Sequence, residues 1–316
     1  MTELCCDVCG SRDSEPELVV NDYFSLESFD LVRCRDCGLV YVNPLPSAEA
    51  LGQYYPEGVY ERGQFSSLGL WLRKRRLDRY LGNASPGTAL DIGCGDGKEL
   101  LYLREKGWQV VGTELSESSC AAARSAGLEV HCEELEIIGF PDESFDVVMM
   151  WHVIEHLRSP RQALQDVNRI LKPDGTLLLG CPNYNSVDVW LAKANAYLDV
   201  PRHLYHFTES TMRRLLADTG FDVVATHWFS LEIGVVSTLQ SLLNVLPFTR
   251  TTPSFLLDWM GAGLYKQRMG RACRRHLLAH MLLTAPIGLV CVPLVAWAAL
   301  ARFSPTMELS SRRRTV

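Results

Sequence analysis

From residue 88 onward, short apolar runs alternate with stretches whose apolar positions recur every three to four residues. Runs at 88–92, 108–113, 128–132, 144–151, 176–181 and 221–228 predict strands. Stretches at 98–106, 117–126, 160–171 and 208–219 predict helices. The punctuation agrees. Gly107, Gly127 and Gly220 follow three of the helices as stops, and Thr208 stands where an N-cap belongs. The fourth helix runs into Lys172-Pro173-Asp174-Gly175, a turn sequence. Strands alternating with helices predict a doubly wound, mainly parallel α/β sheet. No seventh strand is evident after 221–228.

The flanks have a different character. Residues 1–45 carry two short cysteine pairs among β-forming stretches. Residues 46–87 form a connector of helices with turn residues at Pro46, Gly58 and Gly63 and a basic run at 73–79. Residues 88–230 are the α/β core, and 231–316 are apolar and helical, ending in a basic tail. A hydrophobic content of 47% and a charged content of 22% over 316 residues exclude a disordered or collagen-like chain. The net charge of −6 gives no bulk attraction to phosphate, which argues against nucleic acid as a partner. Residues 1–9 contain no basic segment followed by an apolar one, so no signal peptide is visible. A reducing cytoplasm is then the expected setting, where paired cysteines read as metal ligands.

The strongest chemical signal is Leu90-Asp91-Ile92-Gly93-Cys94-Gly95-Asp96-Gly97, between a predicted strand and a predicted helix. Glycines there let the backbone turn and approach a ligand. The spacing of Gly93, Gly95 and Gly97 is not the Gly-x-Gly-x-x-Gly of dinucleotide sites. Glu114 closes the next strand, where a carboxylate can accept both hydroxyls of a ribose, and Glu134 closes the third, within reach of an adenine amino group. A glycine turn beside solvated acids is the bland alternative. Three such features at three successive strand ends, where open α/β sheets bind ligands, outweigh it.

These stretches, with Val111-Gly112-Thr113-Glu114, residues 140–148, Ile154-Glu155-His156-Leu157 and residues 171–177, resemble class I S-adenosylmethionine-dependent methyltransferases. The resemblance covers about half the chain and implies a Rossmann-like core that binds S-adenosylmethionine. It places Gly93, Cys94, Gly95 and Gly97, with Asp91, against the methionine part of the cofactor. It gives Glu114 and Leu115 the ribose, sets Glu134 and Leu135 beside the adenine, and puts Trp151 near the methyl donor.

Methyl transfer to a hydroxyl or a carbon acid needs an oriented nucleophile and a proton acceptor. Imidazole suits the second task at neutral pH. His152 and His156 follow the fourth strand; His203 and His206 follow the fifth, in the polar and aromatic loop 199–208. His203 and His156 are the catalytic candidates, against readings in which His156 braces a helix and His203 is a structural loop residue. Tyr205 and His206 read as wall residues. Arg202 pairs either a substrate anion or Asp199.

Cys6-x-x-Cys9-Gly10 and Cys34-x-x-Cys37-Gly38 are two knuckles whose thiolates at i and i+3 can reach one tetrahedral ion. They predict a small zinc ribbon with a closed, structural Zn2+ site; a redox pair is the rival reading, and Cys5 is an extra thiol. Residues 37–47 resemble the ribbon-to-core junction of bacterial methyltransferases of sugar and cell-surface glycan pathways. In the sugar enzymes, that resemblance puts a Glu-His pair and a later His near the substrate, and Glu155-His156 and His203 match these loosely. Residues 277–303 are nearly uncharged, long enough to cross a bilayer, interrupted by Pro286 and Pro293, and flanked by Arg271, Arg274, Arg275 and Arg312 to Arg314. A weaker apolar stretch lies at 234–247. A span, a re-entrant or interfacial element, a buried subdomain and a dimer interface all fit that pattern. The combined expectation is a methyltransferase acting on a sugar or lipid-linked glycan, in the cytoplasm or at the inner face of the membrane. An RNA methyltransferase and a non-catalytic cofactor-binding module are the alternatives.

Overall fold

A computed structural model describes residues 5–22, 25, 27–55, 67–228, 231–245 and 273–314. The predicted turn at Gly58 and Gly63, and Arg271, lie outside the described residues. In chain order the elements are β1 (Ser14–Asn21), β2 (Ser28–Cys34), β3 (Val40–Val42), α1 (Ala48–Gly52), α2 (Ser67–Leu81), β4 (Thr88–Ile92), α3 (Lys98–Glu105) and β5 (Gln109–Thr113). Then come α4 (Glu117–Ser125), β6 (Glu129–His131), α5 (Leu135–Ile138), β7 (Phe145–Trp151), α6 (Pro160–Ile170), β8 (Leu171–Pro182) and α7 (Val187–Ala192). The chain closes with β9 (Tyr205–His206), α8 (Glu209–Asp218), β10 (Phe221–His227), α9 (Leu231–Val245), α10 (Cys273–Leu300) and β11 (Thr306–Arg313).

The chain folds as two compact units. One comprises residues 63–181, 213–227 and 308–316; the other comprises 1–62, 182–212 and 228–307. The first holds a seven-stranded sheet in the order β10-β11-β8-β7-β4-β5-β6, parallel wherever β4 to β8 pair and antiparallel between β10 and β11. This is the Rossmann-like arrangement the alternation predicts. The chain runs outward from β4 through β5 to β6, then returns to β7 on the other side of β4. The topological switch, where such sheets hold ligands, therefore lies at the carboxyl end of β4. Apolar helix faces close the core. Pro160, Ala163, Leu164, Val167 and Ile170 of α6 are buried at helical spacing, as are Leu100 and Leu103 of α3.

Three features depart from the sequence reading. The seventh strand exists, but β11 supplies it from the C-terminal segment assigned to the apolar helical region and basic tail. Its Leu309 is buried, and its polar positions made it unreadable as a core strand. The predicted turn at 172–175 is absorbed into β8, with Asp174 in the left-handed region (φ +59°) and a register shift where β8 pairs with β7. The two compact units also cut across the segments 1–45, 46–87, 88–230 and 231–316. Helix α2 belongs to the seven-stranded unit, and residues 182–212 belong to the other.

The second unit is built on an antiparallel sheet, β1-β2-β3-β9. Val20, Leu31, Val40 and Val42 of that sheet pack with Tyr184, Ala192, Leu198 and Val200. A separate apolar cluster joins α9 to α10 through Leu239, Leu243 and Cys291.

Candidate functional site

In the seven-stranded unit, β4 ends at Ile92 and the chain turns at once through Gly93–Gly97 into α3. The N–H groups of Gly93 and Cys94 both donate to the carbonyl of Thr113, at 2.8 and 3.0 Å, tying the loop to the end of β5. Gly93 and Gly97 have φ of +73° and +75° and are hemmed in. A Cβ would lie 2.5 Å from Val153 Cγ2 at the first and 2.3 Å from Leu128 Cδ1 at the second. Gly95 differs, because a Cβ there would meet nothing within 4 Å. Two glycines thus serve packing, and the middle one presents bare backbone to open space.

Glu114 stands beside that opening. Its Oε2 accepts the Gly95 N–H at 2.9 Å, and its Oε1 accepts those of Leu115 and Ser116 at 2.7 and 2.9 Å. A carboxylate offers about four acceptor positions. Three are engaged, so the carboxylate is held rigidly with room for about one further donor. The loop's own N–H groups thus occupy most of the acceptor positions that the sequence assigns to a ribose. Leu115 is exposed, Leu135 is buried, and Glu134 is the exposed residue that precedes α5, three positions beyond the end of β6. Nearby, Cys120 of α4 and Cys132 beyond β6 are joined as a disulfide, Cα atoms 6.2 Å apart. The sequence reading had assigned its paired cysteines to metal, and this pair carries no spacing signal.

Asp91 is buried at the end of β4. Burial first, and the neighbouring Glu99 charge second, push its carboxyl well above the usual range, against the guanidinium groups of Arg76 and Arg73. These belong to a buried ionic network that the sequence did not disclose. Arg76 donates to Glu99 at 2.7 Å, Arg73 lies 3.7 Å from the same oxygen, and Arg76 lies 3.9 Å from Glu308 of β11. Tyr80 donates to Glu308 at 3.0 Å. The guanidinium of Arg76 sits 3.8 Å from the centroid of Trp151, so one face of that indole is covered by a cation. The basic run at 73–79 was legible in the sequence; the arrival of Glu308 was not. His152, in the left-handed region (φ +55°), lies 3.4 Å from the buried Glu155, and His156 closes the short turn 154–156.

In the other unit, Arg202 is wholly buried. It donates to Asp199 at 2.7 Å, to Asp22 at 2.8 Å and to the carbonyl of Tyr54 at 3.1 Å. It therefore braces Asp199, and the reading in which it pairs a substrate anion falls. Asp199 in turn lies 3.7 Å from Nε2 of His203. Tyr205 and His206 are buried in β9, in register with Tyr41 and Val40. His203 and His206 border a small cavity with Asp188, Asn183, Tyr184 and Tyr197, large enough for about one water.

The four thiols of Cys6, Cys9, Cys34 and Cys37 all lie within 4.8 Å of one another, with Cys6 to Cys37 and Cys9 to Cys34 at 3.4 Å. Each knuckle is closed by a backbone bond, from Gly10 to Cys6 and from Gly38 to Cys34, and both glycines have positive φ. Tetrahedral zinc thiolates stand about 3.8 Å apart, from Zn–S bonds of about 2.3 Å, which these distances bracket. Cys5 is exposed and outside the cluster.

Comparison with known proteins accords with this geometry. A family model described as a methyltransferase domain matches residues 69–226. A probable S-adenosylmethionine-dependent methyltransferase of Mycolicibacterium smegmatis is 28% identical over 192 residues, 58% of this chain and 70% of that protein. A ubiquinone biosynthesis O-methyltransferase of Ruegeria pomeroyi is 31% identical over 157 residues, 47% of this chain and 63% of that protein. The chain spans as little as 44% of the length of the curated relatives it matches. Among solved structures, the [4+2]-cyclase SpnF aligns with a TM-score of 0.51 at 16% identity, over 81% of this chain and 85% of that one, a likeness of fold alone. With its glycine loop at the sheet's switch point and the family match over half its length, the chain belongs to the class I, S-adenosylmethionine-dependent methyltransferase family.

Proposed function

We propose that the protein methylates a hydroxyl of a sugar or lipid-linked glycan, with His203 as the general base. The observation that carries the cofactor half is Glu114, held by three N–H groups beside the open backbone of Gly95. That arrangement fits a ribose hydroxyl, and the Gly93–Gly97 loop fits the approach of the methionine part. Bound S-adenosylmethionine supplies an already activated methyl group. The chain's residues then have to bind, orient and deprotonate the acceptor.

The surroundings of His203 support its part in the last task. Asp199 faces its Nε2, and Asp199 is itself fixed by the buried Arg202. A proton accepted at Nδ1 would leave an imidazolium whose other nitrogen faces that carboxylate. The name of the Ruegeria relative supports an oxygen acceptor. The cysteine cluster supports one structural Zn2+ held by Cys6, Cys9, Cys34 and Cys37, with no coordination position left for chemistry. Basic residues near that cluster are neutralised, Arg33 by Glu17 at 2.7 Å and Arg35 by Glu15 at 3.3 Å. This disfavours RNA as the acceptor.

The likeness of fold to a cyclase keeps a second reading in view, a cofactor-binding protein without methyl transfer. Calorimetry with S-adenosylmethionine, followed by transfer of labelled methyl to glycan and glycolipid extracts, separates the readings. Binding with transfer, and a loss of turnover of about a hundredfold or more in His203→Ala at unchanged cofactor affinity, is expected. Binding without transfer to glycan, lipid or RNA fractions selects the second reading, and absence of binding refutes both.

A further inference from the structure

The apolar C-terminal helix has one face that its own fold explains and one that it does not. Ile287, Cys291, Val295 and Ala298 recur at three- and four-residue spacing on the face turned to α9, where Leu239, Leu243 and Val235 pack. Gly234 of α9 is tight against Val295; a Cβ there would lie 3.1 Å from its Cγ1. On the other face Leu282, Leu289, Val290, Trp297 and Leu300 are 57–87% exposed. A surface helix of a water-facing unit carries charged and polar residues at such positions. A contiguous exposed apolar row of this kind marks an interaction surface.

We infer that this face of α10 lies in the surface of an anionic phospholipid bilayer, and that the helix is an interfacial anchor rather than a span. The length alone would allow a span, since residues 282–300 make about 28 Å of helix against a hydrocarbon core of about 30 Å. The packing decides otherwise. A spanning helix is surrounded by lipid or by other spans, whereas α10 is backed by α9. Helix α9 is tied by polar bonds to the folded unit: Ser237 donates to Asp188 at 2.7 Å, Ser241 accepts the Tyr197 N–H at 2.9 Å, and Asn244 donates to the carbonyl of Asn195 at 3.1 Å. Among the described residues, helix α10 is therefore an outer layer of that unit. Protein replaces the water that normally covers the polar side of an interfacial helix. Trp297 in its last turn and the exposed Arg302 just beyond it are an aromatic and a basic group suited to the headgroup level. Arg274 and Arg275 precede the apolar run in sequence, so both flanks favour an anionic surface.

Flotation of the full chain with vesicles of phosphatidylcholine, and of phosphatidylcholine mixed with phosphatidylglycerol, tests the inference. The protein is expected to float with the mixed vesicles. A Leu289→Glu, Trp297→Glu double variant should lose about tenfold or more of the bound fraction, while its thermal melt matches the parent. Quenching of tryptophan emission by brominated lipid in the unsubstituted protein needs no variant and should accompany flotation. Failure to float or to be quenched overturns the inference. So does a lipid-independent dimer that Leu289→Glu converts to monomer by sedimentation, since a second copy would then cover the face.

Discussion

Glu114 is the residue whose removal reports most directly on the cofactor site. In Glu114→Gln the remaining carbonyl oxygen can still accept from Leu115 and Ser116, but the new NH2 group faces the Gly95 N–H that Oε2 now accepts at 2.9 Å. Two donors then oppose each other, and Gly95 must shift where the loop presents its bare backbone. The variant also lacks the remaining charged acceptor position assigned to a ribose hydroxyl. One hydrogen bond to a charged group contributes about 1.5–3 kcal/mol. At 1.4 kcal/mol per tenfold, the dissociation constant for S-adenosylmethionine should rise roughly 10- to 150-fold. Glu114→Ala, which frees all three N–H groups, should bind at least as weakly. Because the carboxylate is half-buried, water takes over part of those bonds, so the protein should lose only about 1 kcal/mol of stability. Titration calorimetry with S-adenosylmethionine and S-adenosylhomocysteine gives the affinities, and a thermal melt confirms that each variant is folded. If both folded variants bind within about twofold of the parent, well below one charged hydrogen bond, Glu114 does not hold the nucleoside and the site has been misplaced.

Three further outcomes are expected. Arg76→Met strands Glu99 and Glu308 in the interior without their shared cation. A broken buried pair costs about 3–5 kcal/mol, so the seven-stranded unit should melt roughly 10 °C lower; a shift under about 2 °C would show the network to be hydrated. Zinc analysis of the purified chain should find one equivalent, Cys34→Ser should lose it, and a metal-free parent would end the ribbon assignment. Burial opposes ionisation of Asp146, but bonds from Lys172 and from the N–H and hydroxyl of Thr88, each at 2.8 Å, hold its pKa below the usual range. A carboxyl depressed on folding adds stability above its unfolded pKa of about 3.9 and loses it as pH falls through the folded value. Asp146→Asn should therefore melt below the parent at neutral pH, with the two curves meeting below about pH 3; a constant offset down to that pH would refute the pairing.

Much of this was legible in the chain itself, for a common reason. Strands 88–92, 144–151 and 221–228, the helix stops at Gly127 and Gly220, the glycine loop with Glu114, and the two cysteine knuckles are all signals carried by residues a few positions apart. Local backbone preference and local spacing suffice to express them. What escaped depends on partners distant in sequence. Arg202 was ambiguous until Asp22, 180 residues away, arrived to fix it beside Asp199. Glu308 gave no sign of meeting Arg76 and Tyr80, and β11 gave none of being the seventh strand, because its polar residues become interior only when β8 and β10 flank it. Likewise, the apolar run at 277–303 specified a helix but not its fate. Only the packing of α9 on one side, leaving Leu289 and Trp297 on the other, separates the face the protein buries from the face it offers. Periodicity describes one element at a time, whereas burial and charge pairing belong to the assembled layers, and those exist only after long-range contacts have formed.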